Sequence, residues 1–187
     1  NDLDFIKFVS NEQIQKKIDN TKLVDQKALQ MMPSGEAHNY IFKGTKNLEF
    51  EDKSGDWISN KKGVSGATAL GDLDNDGDLD LVVSNINEDV SLYINQTNDK
   101  ANYLQLKFSY PAPNTFGIGT KVYAYDQGKL QFKELYTVRG FQSSSEPMVH
   151  FGYGAIQQVD SITIVWPNKT YQTLKNIAVN QQMTISP

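Results

Sequence analysis

Nine residues, Asp72-Leu-Asp74-Asn-Asp76-Gly77-Asp78-Leu-Asp80, place a carboxylate at every second position around one glycine. Five aspartates in so short a run repel one another unless a cation sits among them. Hard oxygen ligands on a flexible loop suit Ca²⁺, and a glycine permits the sharp turn that wraps backbone around the ion. The chemistry predicts the side chains of Asp72, Asp74, Asp76 and Asp80 as ligands, with the backbone carbonyl of Asp78. Water is expected to complete the shell.

The flanks say what kind of calcium loop this would be. An EF-hand needs a bidentate Glu at loop position twelve and a helix on either side. Counted from Asp72 that position is Val83, so the ligand is missing. Leu79-Asp-Leu-Val-Val-Ser-Asn85 follows the loop and is strand-like, and the short apolar Gly66-Ala-Thr-Ala-Leu70 precedes it. The reading is strand, calcium loop, strand.

Composition bounds the rest of the 187-residue chain to one or two domains. The net charge is −4, and the five loop aspartates account for more than all of it, leaving the remainder at +1. The acidity is local, so nothing in the charge predicts a nucleic-acid partner, and no apolar run is long enough for membrane insertion. Cysteine is absent, which removes disulfides, thiolate metal sites and a Cys nucleophile. Without an initiator Met or a signal peptide, the sequence reads as a mature or excised fragment. A weak calcium site fills at extracellular ion levels and not at cytosolic ones, so an extracellular or cell-surface location is expected.

Three segments follow from the punctuation. Residues 1–38 read as a helical lead-in: Ser10 and Glu12-Gln13 suit a capping box, Thr21 could cap a second helix, and Pro33-Ser-Gly35 closes it. Residues 39–98 read as one antiparallel β unit with strands near 39–42, 48–50, 66–70, 79–84 and 90–94. Residues 101–187 show alternating runs near 103–108, 121–125, 130–138, 148–151, 161–166 and 182–186, separated by glycine and proline, and suggest an all-β sandwich or barrel. The fold class expected is mainly β: one propeller-type blade with its calcium loop and a C-terminal antiparallel β-sandwich, preceded by short helices.

The run from Ala69 through the loop to Asn85 resembles the FG-GAP or VCBS repeat, a blade of integrin-type β-propellers. Asn39-Tyr-Ile-Phe42, Leu48-Glu-Phe-Glu-Asp52 and Leu92-Tyr-Ile-Asn95 resemble the other strands of such a blade. The C-terminal segment resembles the ASPIC/UnbV domain through Asn102-Tyr-Leu-Gln-Leu106, Gly117-Ile-Gly-Thr-Lys-Val122, Arg139-Gly-Phe141, Val149-His-Phe-Gly-Tyr-Gly154 and Val165-Trp-Pro167. Tyr153 stands where that family more usually has leucine. The resemblance implies Ca²⁺ in the loop, extracellular or cell-surface proteins of the cartilage acidic protein type, and no established enzymatic activity. It also implies that the rest of the propeller lies outside this chain.

Little in the chain suits catalysis. His38 falls in a turn position, and His150 alternates with apolar residues on a strand, where histidine commonly serves as a structural hydrogen-bonding group. Ser143-Ser-Ser145 lacks a Gly-x-Ser-x-Gly elbow, and Gly117-Ile-Gly119 lacks the third glycine of a dinucleotide fingerprint. A glycosidase pair among the loop aspartates is better explained by metal ligation. Two functions are therefore expected in order: a non-enzymatic, calcium-stabilised binding or adhesion module with a protein or glycan partner, then an accessory domain of a secreted hydrolase. A sugar-stacking surface from Trp57, Tyr110, Phe116, Phe141 and Tyr153 would favour the second, with Trp166 assigned to the core.

Overall fold

A computed structural model describes Lys7, Ser10 and residues 35–45, 47–97 and 101–187. The predicted helical lead-in falls almost wholly outside the described residues. About 50% of the described residues are strand and 3% helix, so the fold is mainly β, built from several open sheets. It divides into two compact units, Asn1–Val64 and Ser65–Pro187.

In the first unit, β1 (Phe42–Gly44) and β2 (Phe50–Asp52) form a two-stranded antiparallel hairpin, followed by the single-turn helix α1 (Ser54–Trp57). Asp52 Oδ1 accepts the Ser54 amide at 2.8 Å, and Ser54 Oγ accepts the Ile41 amide at 3.0 Å, which fixes the strand-to-helix corner. Every residue of β1 and β2 is exposed. The five strands expected as one antiparallel unit are therefore two sheets, this hairpin and the one described next. Strands of three residues with no buried side chain have little to hold them in a larger sheet, and the polar Ser59-Asn-Lys-Lys62 stretch that follows adds no strand.

In the second unit, β3 (Ser65–Gly71), β4 (Asp80–Asn85) and β5 (Ser91–Tyr93) form an antiparallel meander in the order β3-β4-β5. Gly71 pairs with Asp80, so the aspartate-rich loop closes the β3–β4 hairpin. The outer edge of β3 does not stand open: the amides of Thr68 and Leu70 donate to the hydroxyls of Ser143 and Ser145, each at 3.1 Å. Residues two apart on an edge strand present their N–H groups to the same side, and two serines two apart match that spacing. Ser143 belongs to β10 (Ser143–Ser144), which pairs with β9 (Val138–Gly140).

The remaining strands form two sheets. One orders β11 (Val149–Gly154), β6 (Asn102–Phe108) and β14 (Gln181–Ile185); the other orders β13 (Tyr171–Ala178), β12 (Gln158–Val165), β7 (Lys121–Asp126) and β8 (Lys129–Glu134). Both feed one hydrophobic cluster, with Leu104, Leu106, Val149 and Phe151 from the first and Val122, Ile162, Ile164 and Ile177 from the second. Trp166 is core, as expected, with Phe108 edge-on at 5.5 Å and Tyr110 stacked at 5.6 Å. The expected all-antiparallel arrangement needs correction, because β14 runs parallel to β6. Parallel pairing requires a long connection, and everything from Ser109 to Asn180 intervenes. Strand β13 was not anticipated from sequence; its Tyr-Gln-Thr-Leu-Lys-Asn start carries few apolar residues and lies at a sheet edge.

Candidate metal centre

The loop between β3 and β4 is shaped by its own carboxylates. Asp72 Oδ1 accepts the Asp76 amide at 3.0 Å and Oδ2 accepts the Gly77 amide at 3.1 Å; Asp76 Oδ1 accepts the Asp78 amide at 3.0 Å. Short polar side chains that accept amides a few residues on favour tight turns over helix or strand. Asn75 and Gly77 occupy the left-handed region at φ 61° and 97°, which Asn tolerates and Gly adopts freely.

Asp80 anchors the far end. It is 1% exposed, and its two oxygens accept the Leu73 and Asn95 amides at 2.8 Å each. Asp78 Oδ2 accepts both the amide and the hydroxyl of Thr97, at 2.9 and 3.1 Å. The segment after β5 is thus tied to the loop through Asn95 and Thr97.

Of the four carboxylates predicted as ligands, the structure brings three together. Oxygens of Asp72, Asp74 and Asp80 lie within 4.8 Å of one another. Two oxygens bound to one Ca²⁺ at roughly 2.4 Å can stand no farther apart than roughly 4.8 Å, so the spacing fits a single ion. All donors are carboxylate oxygens, the class that a hard cation prefers. The carboxylates of Asp76 and Asp78 are not among this converging group: Asp76 Oδ1 accepts the Asp78 amide within the turn, and Asp78 Oδ2 accepts from Thr97 after β5. Asp74 is the least tied of the three. Desolvation, then the charges of Asp76 and Asp80, raise its carboxyl above the ordinary value of 3.8. A cation among the three would reverse that pressure.

The loop is also seated on the C-terminal strands, which the sequence reading did not foresee. Gln105 on β6 alternates with Leu104 and Leu106, so it points away from the core, yet it is 4% exposed. Its Nε2 donates to Asp72 Oδ2 at 2.9 Å. Tyr103, on the same face of β6, lies against Gly77 so closely that a Cβ there would fall 1.8 Å from the ring. His150 on β11 stacks on Tyr103, with centroids 6.1 Å apart and planes 6° apart, and its Nε2 lies 2.8 Å from the Gly77 carbonyl. A carbonyl only accepts, so Nε2 carries the proton. The structural role expected of His150 is the one it fills. The outward polar and aromatic residues of Tyr103-Leu-Gln-Leu106 were the available signal, but nothing local named the loop as their partner.

His150 gives this seat a pH dependence. Burial pushes its pKa below the ordinary 6.5 and Lys133 pushes the same way, against the Gly77 bond and the charges of Asp72 and Asp78. A group whose folded pKa is depressed contributes stability above its unfolded value and loses it as pH falls through the folded one. In chelator, the melting temperature is expected to drop further between pH 7 and pH 5 for the wild type than for His150→Gln, which keeps an N–H donor without titrating. Identical drops would show that His150 is not the source.

Ser143 and Ser145 hold β3 rather than a nucleophile's geometry, Ser143 also donating to the Phe141 carbonyl at 3.0 Å. Two of the five aromatics considered for sugar stacking are taken up by the core: Tyr153 is 4% exposed and Tyr110 packs on the cluster, whereas Phe116, Phe141 and Trp57 are exposed. The sheet instead exposes Phe132, Tyr125 and Leu130, with half-buried Tyr123 paired to Phe132 across β7–β8 at a centroid distance of 4.9 Å.

Among known proteins, the family model described as ASPIC and UnbV matches residues 110–187, so the C-terminal part carries an ASPIC/UnbV domain. The match begins after β6, although β6 is the middle strand of its sheet. No curated protein matches the chain. Among the described residues, no helix is long and apolar enough to cross a membrane.

Proposed function

We propose that this chain is a non-catalytic, calcium-stabilised binding or adhesion module of an extracellular or cell-surface protein. In this reading the β3–β5 meander is an FG-GAP/VCBS-type repeat. The observation that carries it is the convergence of Asp72, Asp74 and Asp80 on a position where one hard cation would bridge all three. The ion's contribution is charge neutralisation: it permits three carboxylates to stay ionised at close quarters while the Asp72 and Asp80 bonds to backbone amides hold the loop. Asp76 and the Asp78 carbonyl complete the ligand set proposed from the sequence. A protein or glycan partner is the expected target, and further blades outside this chain would complete the propeller. Calorimetric titration of Ca²⁺ into the chelator-stripped chain tests the site. One ion per chain at millimolar calcium or below is expected, and no heat of binding would sink the reading.

The accessory, carbohydrate-binding role is the second reading. The exposed rings of Tyr125 and Phe132, with Tyr123 beside them and the Thr163 and Thr173 hydroxyls 3.0 Å apart on adjoining strands, favour it, since sugars stack on rings and hydrogen-bond to hydroxyls. Oligosaccharide titration followed by tyrosine fluorescence separates the readings: saturable quenching lost in Phe132→Ala supports the second.

A further inference from the structure

Gln105 lies outside the acidic loop, 33 residues along the chain from the aspartate that it touches. Its side chain is almost wholly buried, on a strand face that would otherwise meet solvent, and its amide is aimed at Asp72 Oδ2, one of the three converging carboxylates. Tyr103 and His150 flank the same contact by gripping Gly77 from the ring side and the carbonyl side. Asp72 is thereby held at both oxygens, by loop amides and by a side chain from the C-terminal sheet.

We infer that Gln105 is a positioning residue for the cation site, and that the site is coupled to the seating of the loop on the β6–β11 face. The inference rests on the calcium reading above. A carboxylate that is free to rotate loses orientation entropy on binding an ion; one held by a buried amide has already lost it. Carboxylate ligands are commonly fixed in this way, and removing the outer partner typically weakens metal affinity by about 10–100-fold. Linkage makes the coupling reciprocal: if seating on the sheet tightens the site, the ion tightens the seat by the same factor.

The test uses the full chain. Calcium is titrated into the wild type and into Gln105→Met, which keeps the volume and removes the amide. The expected result is wild-type binding and a Kd at least about tenfold higher in the variant. In the wild type, the Gln105 side-chain NH₂ resonances should shift with the same calcium midpoint as the Gly77 backbone amide. An unchanged Kd in Gln105→Met overturns the inference, even if that variant melts lower in chelator, because the role is then packing alone. Stationary Gln105 resonances while Gly77 shifts overturn it as well, and this measurement decides alone if the variant does not fold. If the wild type binds no calcium, the calcium reading falls, and this inference with it.

Discussion

Gly77→Ala is expected to lower the melting temperature of the 65–187 unit by on the order of ten degrees, in chelator as well as in calcium. Two costs add. A non-glycine residue at φ 97° carries strain of about 1–3 kcal/mol. The new Cβ also overlaps the Tyr103 ring, which must leave its stack on His150 and loosen the seat of the loop. Each kcal/mol is worth roughly 2–4 °C at this chain length. Gly128→Ala is the control: Gly128 has φ 75° in the β7–β8 turn, but nothing lies within 4 Å of its Cβ position. It should show the strain without the clash. Equal losses for the two variants, by scanning calorimetry, would show that Tyr103 moves aside freely.

The second large effect separates two aspartates of the same cluster. Asp80→Ala is expected to cost about 2–4 kcal/mol without any calcium present, because it strips the acceptor from the Leu73 and Asn95 amides at a buried position. Asp74→Ala should leave the metal-free protein as stable as the wild type or slightly more so. Its side chain is exposed, and desolvation first, then the charges of Asp76 and Asp80, raise its carboxyl in the absence of an ion, so its removal relieves that repulsion. Both variants should lose the response to calcium. Denaturant unfolding in chelator checks the contrast; equal losses would mean that Asp80 does not organise the loop as described.

The local pattern carried much of this in advance. Alternating aspartates around Gly77 named the loop, and the short apolar run before it and the β-branched run after it placed β3 and β4 around it within a residue or two. The C-terminal alternation placed β6, β7, β11 and β12 and the core position of Trp166. What was hidden is long-range. Gln105 reads as an ordinary outward polar residue until the loop covers it, and Ser143 and Ser145 read as a polar turn until they meet the β3 edge. Strand β13 escaped because an edge strand with alternate exposed residues needs few apolar side chains. The parallel course of β14 depends on a crossover that no local window contains.

Calcium-dependent melting of the wild type beside Asp74→Ala tests the central claim most directly. A ligand bound only by the native state adds RT ln(1 + [L]/Kd), about 2.7 kcal/mol at a hundredfold excess over Kd. That corresponds to a rise of roughly 5–10 °C in the transition of the 65–187 unit on moving from chelator to saturating calcium. The account predicts this rise in the wild type and its disappearance in Asp74→Ala. A wild-type transition at the same temperature in chelator and in calcium, or an Asp74→Ala variant that keeps the full rise, would contradict it.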